Sequence, residues 1–155
     1  MKKIIYNVLI IILLFTIVGC YSNNENNNIN NKFNKNEANN SNEMVNSMKV
    51  IIDEKEYIIN LEDNETAKSF VNYLPQELIM NDLNGNEKYV YIDISLVTNS
   101  YNPIHIEKGD VMLFGDNCLV IFYKSFDTSY IYTKIGHIDN LDNLGNGSIT
   151  VRFEK

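Results

Sequence analysis

The sequence is poor in several residue types on which common functional sites depend. It contains no tryptophan, a single arginine, two histidines and two cysteines. Two histidines are too few for a convincing zinc site, which usually takes three or four protein ligands. No glycine-rich phosphate-binding loop is present. We therefore expect neither a metal nor any other cofactor.

Basic residues are also in the minority. The chain has 13 Lys and Arg against 20 Asp and Glu, a net charge of −7. No basic stripe runs along it, so nucleic acid and anionic lipid head groups are poor partners. Removal of an N-terminal segment containing Lys2 and Lys3 would leave 11 basic residues against 20 acidic ones, a net charge of −9.

The N-terminus has the pattern of a secretory signal. Lys2 and Lys3 form a basic head, and the apolar run 4–18 follows. That run is shorter than the roughly 20 residues that a membrane-spanning helix needs. A basic head, an apolar run and a small-residue end together are typical of a signal peptide.

The end of this segment, Ile17-Val18-Gly19-Cys20, resembles the lipobox of bacterial lipoproteins. In that class the cysteine receives a diacylglyceryl group, and cleavage before it leaves an acylated N-terminus. Two or more acyl chains anchor a protein stably in a membrane. The resemblance implies a lipoprotein signal peptide at 1–19, a lipid bilayer partner bound through Cys20, and a location on the outer face of the bacterial cell membrane. The alternative is an uncleaved anchor with an incidental cysteine.

Residues 20–47 form the second predicted segment, the acylated cysteine and an asparagine-rich tether. The tether has too little apolar surface to offset the entropy of ordering, so we expect a disordered spacer. Asparagine-rich tracts can also aggregate, which is the alternative. Residues 48–155 then form one domain, long enough to bury a core.

Strand patterns dominate this domain. Segments 48–53 and 55–63 predict a hairpin around Asp53-Glu54, and Asn84-Gly85 predicts a turn between strands 76–82 and 87–93. Asp63 or Asn64 can cap a helix that Pro75 ends. Residues 95–110 are an irregular connection. Further strands are predicted within 110–124, bent at 115–117, and at 130–138 and 148–154, with a short turn or second helix at 139–144. This order predicts a mostly β, small closed barrel with one main helix.

Three segments of the domain resemble cyclophilins. Thr66-Ala67-x-x-Phe70 is similar to the start of their first helix, segment 109–113 to their Gly-x-Leu-x-Met segment, and segment 132–138 to their His-x-x-Phe-Gly-x-Val strand. Their order and spacing identify residues 48–155 as a member of the bacterial cyclophilin-like domain family. The resemblance implies a cyclophilin-like closed antiparallel β-barrel.

The same resemblance indicates what has become of the catalytic groove. Cyclophilins place an arginine guanidinium beside the prolyl amide, and the resemblance puts that arginine within residues 76–91. Lys88 is the only cation there, and Arg152 lies in the last strand. Tyr132 stands where the groove histidine would align, and the groove tryptophan is missing. These departures favour a binding module over an enzyme.

Aromatic residues around the turn 124–129 are the candidates for a binding surface, because aromatic side chains bury large areas and keep a polar handle. The alternative is that they pack in the core and cover the sheet. The candidate ligand-binding groove comprises Lys88, Tyr101, Phe122, Tyr123, Phe126, Tyr130 and Tyr132.

Other candidate sites are weaker. Cys118 could be a nucleophile with His105 or His137 as base. Neither histidine lies at a spacing from Cys118 that indicates a catalytic pair, so a buried structural thiol is favoured. Segments 81–87 and 139–147 do not match the calcium-loop pattern and are interpreted as turns.

Three functions remain open. The leading interpretation is a membrane-anchored surface lipoprotein, expected to be a monomer, whose domain binds a peptide or small ligand without catalysis. The second is a weak peptidyl-prolyl cis-trans isomerase acting on exported proteins. The third is a structural subunit of an envelope complex.

Overall fold

The computed structural model describes residues 46–155; the predicted signal peptide, Cys20 and nearly all of the predicted tether lie outside this range. Its elements are β1 (Ser47–Ile52), β2 (Lys55–Leu61), α1 (Glu65–Tyr73), β3 (Gln76–Leu83), β4 (Glu87–Tyr91), β5 (His105–Ile106), β6 (Asp110–Phe114), β7 (Cys118–Phe122), β8 (Phe126–Asp127), β9 (Thr133–Ile138) and β10 (Ile149–Glu154). No helix within 46–155 is long and apolar enough to cross a membrane.

Eight of these strands close into a barrel in the order β1-β10-β3-β4-β7-β6-β9-β2. All neighbouring pairs are antiparallel. The remaining two, β5 and β8, pair as a separate short ribbon. The prediction of a mostly β, closed antiparallel barrel with one main helix is confirmed. Of the two forms expected for residues 139–144, the structure has the turn, so α1 is the only helix between residues 46 and 155.

Helix α1 begins and ends where the sequence indicates. The Asn64 side chain accepts a hydrogen bond from the backbone N–H of Ala67 at 2.8 Å, and it donates to the carbonyl of Lys134 at 2.8 Å. The helix ends at Tyr73, shortly before Pro75, which cannot continue it. Its buried face packs into the barrel, and the rings of Phe70 and Phe153 meet edge to face with centroids 5.1 Å apart.

The barrel interior is filled by alternate residues of its strands. Met48, Val50 and Ile52 of β1 are buried, as are Ile149, Val151 and Phe153 of β10. This alternation follows from the two-residue repeat of a strand, which points successive side chains to opposite faces. The same core also contains Phe70 of α1 and the side chains of Leu113, Leu119 and Ile121 from β6 and β7.

A second apolar cluster lies on the outside of the barrel. It consists of Ile106, Met112, Cys118, Val120, Phe122 and Tyr132, with Tyr89 and Phe126 packed against it. Ile106 and Phe126 of the β5–β8 ribbon belong to or pack against this cluster, and all five residues of β7 are buried. Part of the outer face of β4, β6 and β7 stays open, and that part holds the site described below.

The cap of α1 can be tested by a pair of substitutions. Asn64→Ala removes both side-chain hydrogen bonds, and we expect it to lower the free energy of unfolding by about 1–2 kcal/mol. Asn64→Asp keeps the oxygen that caps the helix and loses only the donor to Lys134, so its cost is smaller. Urea denaturation measures both. An Asp variant as unstable as the Ala variant would assign the effect to the Lys134 contact instead of the cap.

Candidate functional site

The candidate site is an open groove of about 360 Å³ on the outer face of the barrel. It runs across β4, β7 and β6 and is bordered by the segment that precedes β9. The residues that line it are Leu83, Asn84, Glu87, Tyr89, Tyr91, Phe114, Cys118, Val120, Tyr130 and Tyr132.

Strand pairing brings residues of β4 and β7 together in the groove. In the β4–β7 ladder Tyr89 lies opposite Val120, and Tyr91 lies opposite Cys118. Residues opposite each other on one face of an antiparallel pair have closely spaced side chains. The intervening residues of β7, Leu119 and Ile121, belong to the barrel core, so the groove and the core share one strand.

Aromatic rings make most of the groove's wall. Tyr89 and Tyr91 meet nearly perpendicularly, with centroids 6.1 Å apart. Phe114 lies 6.2 Å from Tyr130 and 5.6 Å from Tyr132, measured between ring centroids. Tyr91, Phe114 and Tyr130 are also substantially exposed, which gives the groove an accessible apolar rim.

Glu87 is the acidic residue of the groove. Only 8% of its surface is exposed, and burial followed by the charge of Asp82 raises the pKa of its carboxyl to about 6 from an ordinary value of 4.5. Within residues 46–155, no lysine, arginine or histidine forms an ion pair with it. Glu87 is therefore a largely buried residue that lines an aromatic groove and has no cationic partner among residues 46–155.

Two other titratable groups lie beside Glu87. Burial, followed by the charge of Glu87, raises the pKa of the Tyr132 phenol to about 12. Burial also raises the pKa of the Cys118 thiol, and the same carboxylate adds to that effect. Both groups stay protonated at neutral pH, so the Cys118 sulfur is not activated as a nucleophile.

The two histidines are engaged elsewhere. His105 Nδ1 lies 2.6 Å from Asp127, and His137 Nδ1 lies 3.0 Å from the buried Asp110. Neither residue lines the groove, so neither is placed to act as a base for Cys118. In the part of the chain that the structure describes, no cluster of three or more His, Cys, Asp and Glu side chains could hold a metal ion.

The seven residues expected to form the groove divide into three sets. Tyr130 and Tyr132 line it. Phe122 and Phe126 belong to the neighbouring apolar cluster, with the Phe122 ring 5.5 Å from that of Tyr132, and Tyr101 pairs with the backbone of Tyr132 beside it. The last two, Lys88 and Tyr123, are not among the lining residues and form a separate buried cluster.

Lys88 occupies this buried cluster and is 0% exposed. Its ammonium donates hydrogen bonds to Asp82 at 2.8 Å and to the carbonyls of Gly145 and Gly147 at 2.7 Å each. The Tyr123 hydroxyl donates to the same Asp82 oxygen at 2.5 Å, and its ring centroid lies 5.1 Å from the ammonium. Two of the three ammonium protons therefore attach the loop between β9 and β10 to the end of the barrel, and the third pairs with Asp82 of β3.

The electrostatics of this cluster are mutually reinforcing. The hydrogen bond from Lys88, followed by that from Tyr123, holds the pKa of Asp82 below its ordinary value. Burial, followed by the hydrogen bond to Asp82, raises the pKa of Tyr123 to about 12. The three hydrogen bonds of the Lys88 side chain leave it no free donor for a ligand.

Sequence reasoning did not single out Glu87, Tyr89, Tyr91 or Phe114. The available signal was the alternation in the segment Glu87-x-Tyr89-x-Tyr91, which places one acid and two aromatics on a single face of a strand. Lys88, which was expected to supply the cation of the groove, is the neighbour of Glu87 on the opposite face of the same strand.

The fold is a closed barrel of the cyclophilin-like type, and no lysine or arginine is among the residues that line the groove on its outer face. A family model described as the cyclophilin-like family matches residues 50–154, and the chain belongs to that family. No curated protein matches the chain. The three segments singled out in the sequence all lie within the matched range.

The structural role of Lys88 can be tested by Lys88→Met. Because the change leaves Asp82 and two loop carbonyls without their donor, we expect the free energy of unfolding to fall by roughly 3 kcal/mol or more. Lys124→Met, at an exposed lysine also near the Tyr123 ring, is the control and should have little effect. Urea denaturation curves that coincide for the two variants would contradict this role.

The buried carboxyl gives a second prediction, for Glu87→Gln. A pKa raised to about 6 means that the protonated form is favoured by folding; the stabilisation is complete below the ordinary value of 4.5 and is lost as pH rises through about 6. At pH 7.5 the Gln variant should therefore be more stable than the native chain by about 2 kcal/mol, and this advantage should vanish near pH 4.

The measurement is urea denaturation across this pH range. Glu77→Gln, at an exposed glutamate on β3 outside the groove, is the matched control and should follow the native profile. Parallel profiles for the native chain and the Glu87 variant would show that Glu87 titrates as it does in the unfolded chain.

Proposed function

We propose that this protein is a membrane-anchored surface lipoprotein whose cyclophilin-like domain binds a peptide or small ligand in the outer groove without catalysing prolyl isomerisation. The observation that carries the proposal is the composition of the groove. It combines an aromatic wall with the Glu87 carboxyl and contains no guanidinium among its lining residues.

The anchoring part of the proposal rests on the sequence. The basic head, the apolar run 4–18 and the segment Ile17-Val18-Gly19-Cys20 are typical of a lipoprotein precursor. Acylation at Cys20 would hold the domain at the outer face of the membrane through the asparagine-rich segment. An acylated Cys20 also leaves Cys118, a buried free cysteine, without a disulfide partner in its own chain.

The absence of catalysis follows from the charge that the groove offers. A cyclophilin-type mechanism needs a fixed donor beside the prolyl amide, for which the planar and permanently charged guanidinium is suited. Arg152, the only arginine in the sequence, lies on β10, two strands away from β4, with its Nε 2.8 Å from Glu154. Above pH 6 the Glu87 carboxylate accepts hydrogen bonds and donates none.

A weak isomerase is the second candidate, and one observation favours it. Below pH 6 the Glu87 carboxyl carries a proton, so it becomes a hydrogen-bond donor within the groove. Any isomerase activity that depends on Glu87 should then appear only below about pH 6 and should be lost in the Glu87→Gln variant.

The test is NMR of short blocked Xaa-Pro peptides, with Xaa as Ala, Leu, Lys or Glu, mixed with the chain from residue 20 onward carrying Cys20→Ser. We expect at least one peptide to show shifted signals without cis/trans exchange peaks, because uncatalysed isomerisation takes about 10–100 s. Tyr91→Ala should reduce binding several-fold, whereas Ile79→Ala, at a similarly exposed residue on β3, should not. Exchange peaks at pH 7.5 would overturn the non-catalytic assignment.

A further inference from the structure

The unpaired carboxyl in the groove indicates what the ligand must carry. We propose that the groove selects a primary alkylammonium group, the side chain of a lysine in a peptide, which forms an ion pair with Glu87 between the surrounding aromatic rings. This inference rests on the proposed function and specifies the ligand for the same groove.

The first argument is the cost of leaving Glu87 as it is. Removing a carboxylate from water is unfavourable unless a cation or hydrogen-bond donors compensate it. Glu87 is more than nine-tenths buried, and within the described residues its pKa reflects only burial and the repulsion of Asp82, with no stabilising partner. A ligand ammonium would supply the missing partner and would recover part of that cost on binding.

The second argument is the chemistry of the wall. The face of a tyrosine or phenylalanine ring attracts a cation within about 6 Å, and the attraction grows when water is excluded. Tyr89 and Tyr91 come from β4, whereas Phe114, Tyr130 and Tyr132 come from β6 and the segment before β9, which follow β7 in the barrel order. Each neighbouring pair of rings is strongly tilted or perpendicular, so the two rings of a pair differ in orientation and do not stack on each other.

The third argument concerns the ligands that this groove disfavours. An anion would meet Glu87 and no lining cation, in a chain of net charge −7. A neutral side chain would cover the carboxylate without pairing it. A group that is both apolar along its length and positively charged at its tip fits the wall and the floor together, and a lysine side chain has this form.

The fourth argument favours a peptide over a free amine. The groove volume of about 360 Å³ is near the lower end of the range of about 300–1,000 Å³ for ligand pockets, which suits a side chain better than a large molecule. The rim continues outward as exposed apolar surface at Tyr91, Tyr130 and Ile131, which are 65%, 63% and 56% exposed. Residues flanking the lysine would contact this rim, whereas a free amine would leave it bare.

The groups that face Glu87 determine how binding should depend on pH. Asp82 comes from β3, Cys118 from β7 and Tyr132 from the segment before β9; the thiol and the phenol remain neutral at neutral pH, and Asp82 remains charged. Glu87 is thus the group whose charge changes near pH 6. Lysine stays protonated throughout, so binding should strengthen from pH 5 to pH 7.5.

The experiment compares two blocked pentapeptides, one with a central lysine and one with a central Nε-acetyl-lysine, titrated into the chain from residue 20 onward carrying Cys20→Ser. Calorimetry and NMR are the readouts. We expect the lysine peptide to bind at least about tenfold more tightly at pH 7.5, to lose most of this preference at pH 5, and to shift the backbone signals of β4 and β7. Equal affinity for the two peptides would overturn the inference. This comparison uses the native groove and does not depend on the folding of any variant.

Two variants test whether the preference for lysine depends on the Glu87 carboxyl. Glu87→Gln should abolish the preference for lysine, whereas Glu77→Gln should retain it. A lysine preference that survives Glu87→Gln would overturn the assignment to this carboxyl. Equally tight binding of n-butylammonium chloride would overturn the peptide as the source of the ammonium group.

The outcomes also separate this inference from the proposed function. If acetyl-lysine or leucine peptides bind in the groove as well as the lysine peptide, the ammonium preference fails and peptide binding stands. If no peptide shifts any groove signal, both fail.

Discussion

The two faces of β4 impose the constraint on which the rest of this structure depends. Glu87 and Lys88 are neighbours in the chain with opposite charges, and both are buried. Because successive side chains of a strand point to opposite faces, they cannot pair with each other. The ammonium is neutralised inside by Asp82 and two loop carbonyls, while the carboxyl is left in the groove outside. The strand β4 therefore carries a paired lysine on its inner face and an unpaired glutamate on its outer face.

In this barrel the wall of the groove and the charge within it come from different side chains. The wall needs only aromatic side chains at alternate positions of β4 together with residues of β6 and the segment before β9, and these are present. Among the residues that line the groove, Glu87 alone is an acid and none is a lysine or arginine. In the proposed complex, the carboxylate and the ring faces would attract the same positively charged group.

Local patterns in the sequence determined much of the fold. The turn at Asp53-Glu54, the cap at Asn64 and the turn at Asn84-Gly85 all act over a few residues, and all three were predictable. The groove was harder because it joins β4 to β7, and such pairing is not encoded in neighbouring residues. The direction of Lys88 was ambiguous for another reason: both faces of β4 carry apolar or aromatic residues, so hydrophobic alternation did not indicate which face is internal.

The connection between β3 and β4 has a consequence for how such grooves diversify. Asn84 and Gly85 adopt φ angles of 55° and 66°, and the pairing of Leu83 with Glu87 resumes directly after residues 84–86. Because the side-chain repeat of a strand is two residues, a change of one residue in this connection would tend to exchange the inward and outward sets of β4. The length of this surface turn thus determines which charge faces the groove. Shifted by one position, the same strand would present the Lys88 ammonium there in place of the Glu87 carboxylate.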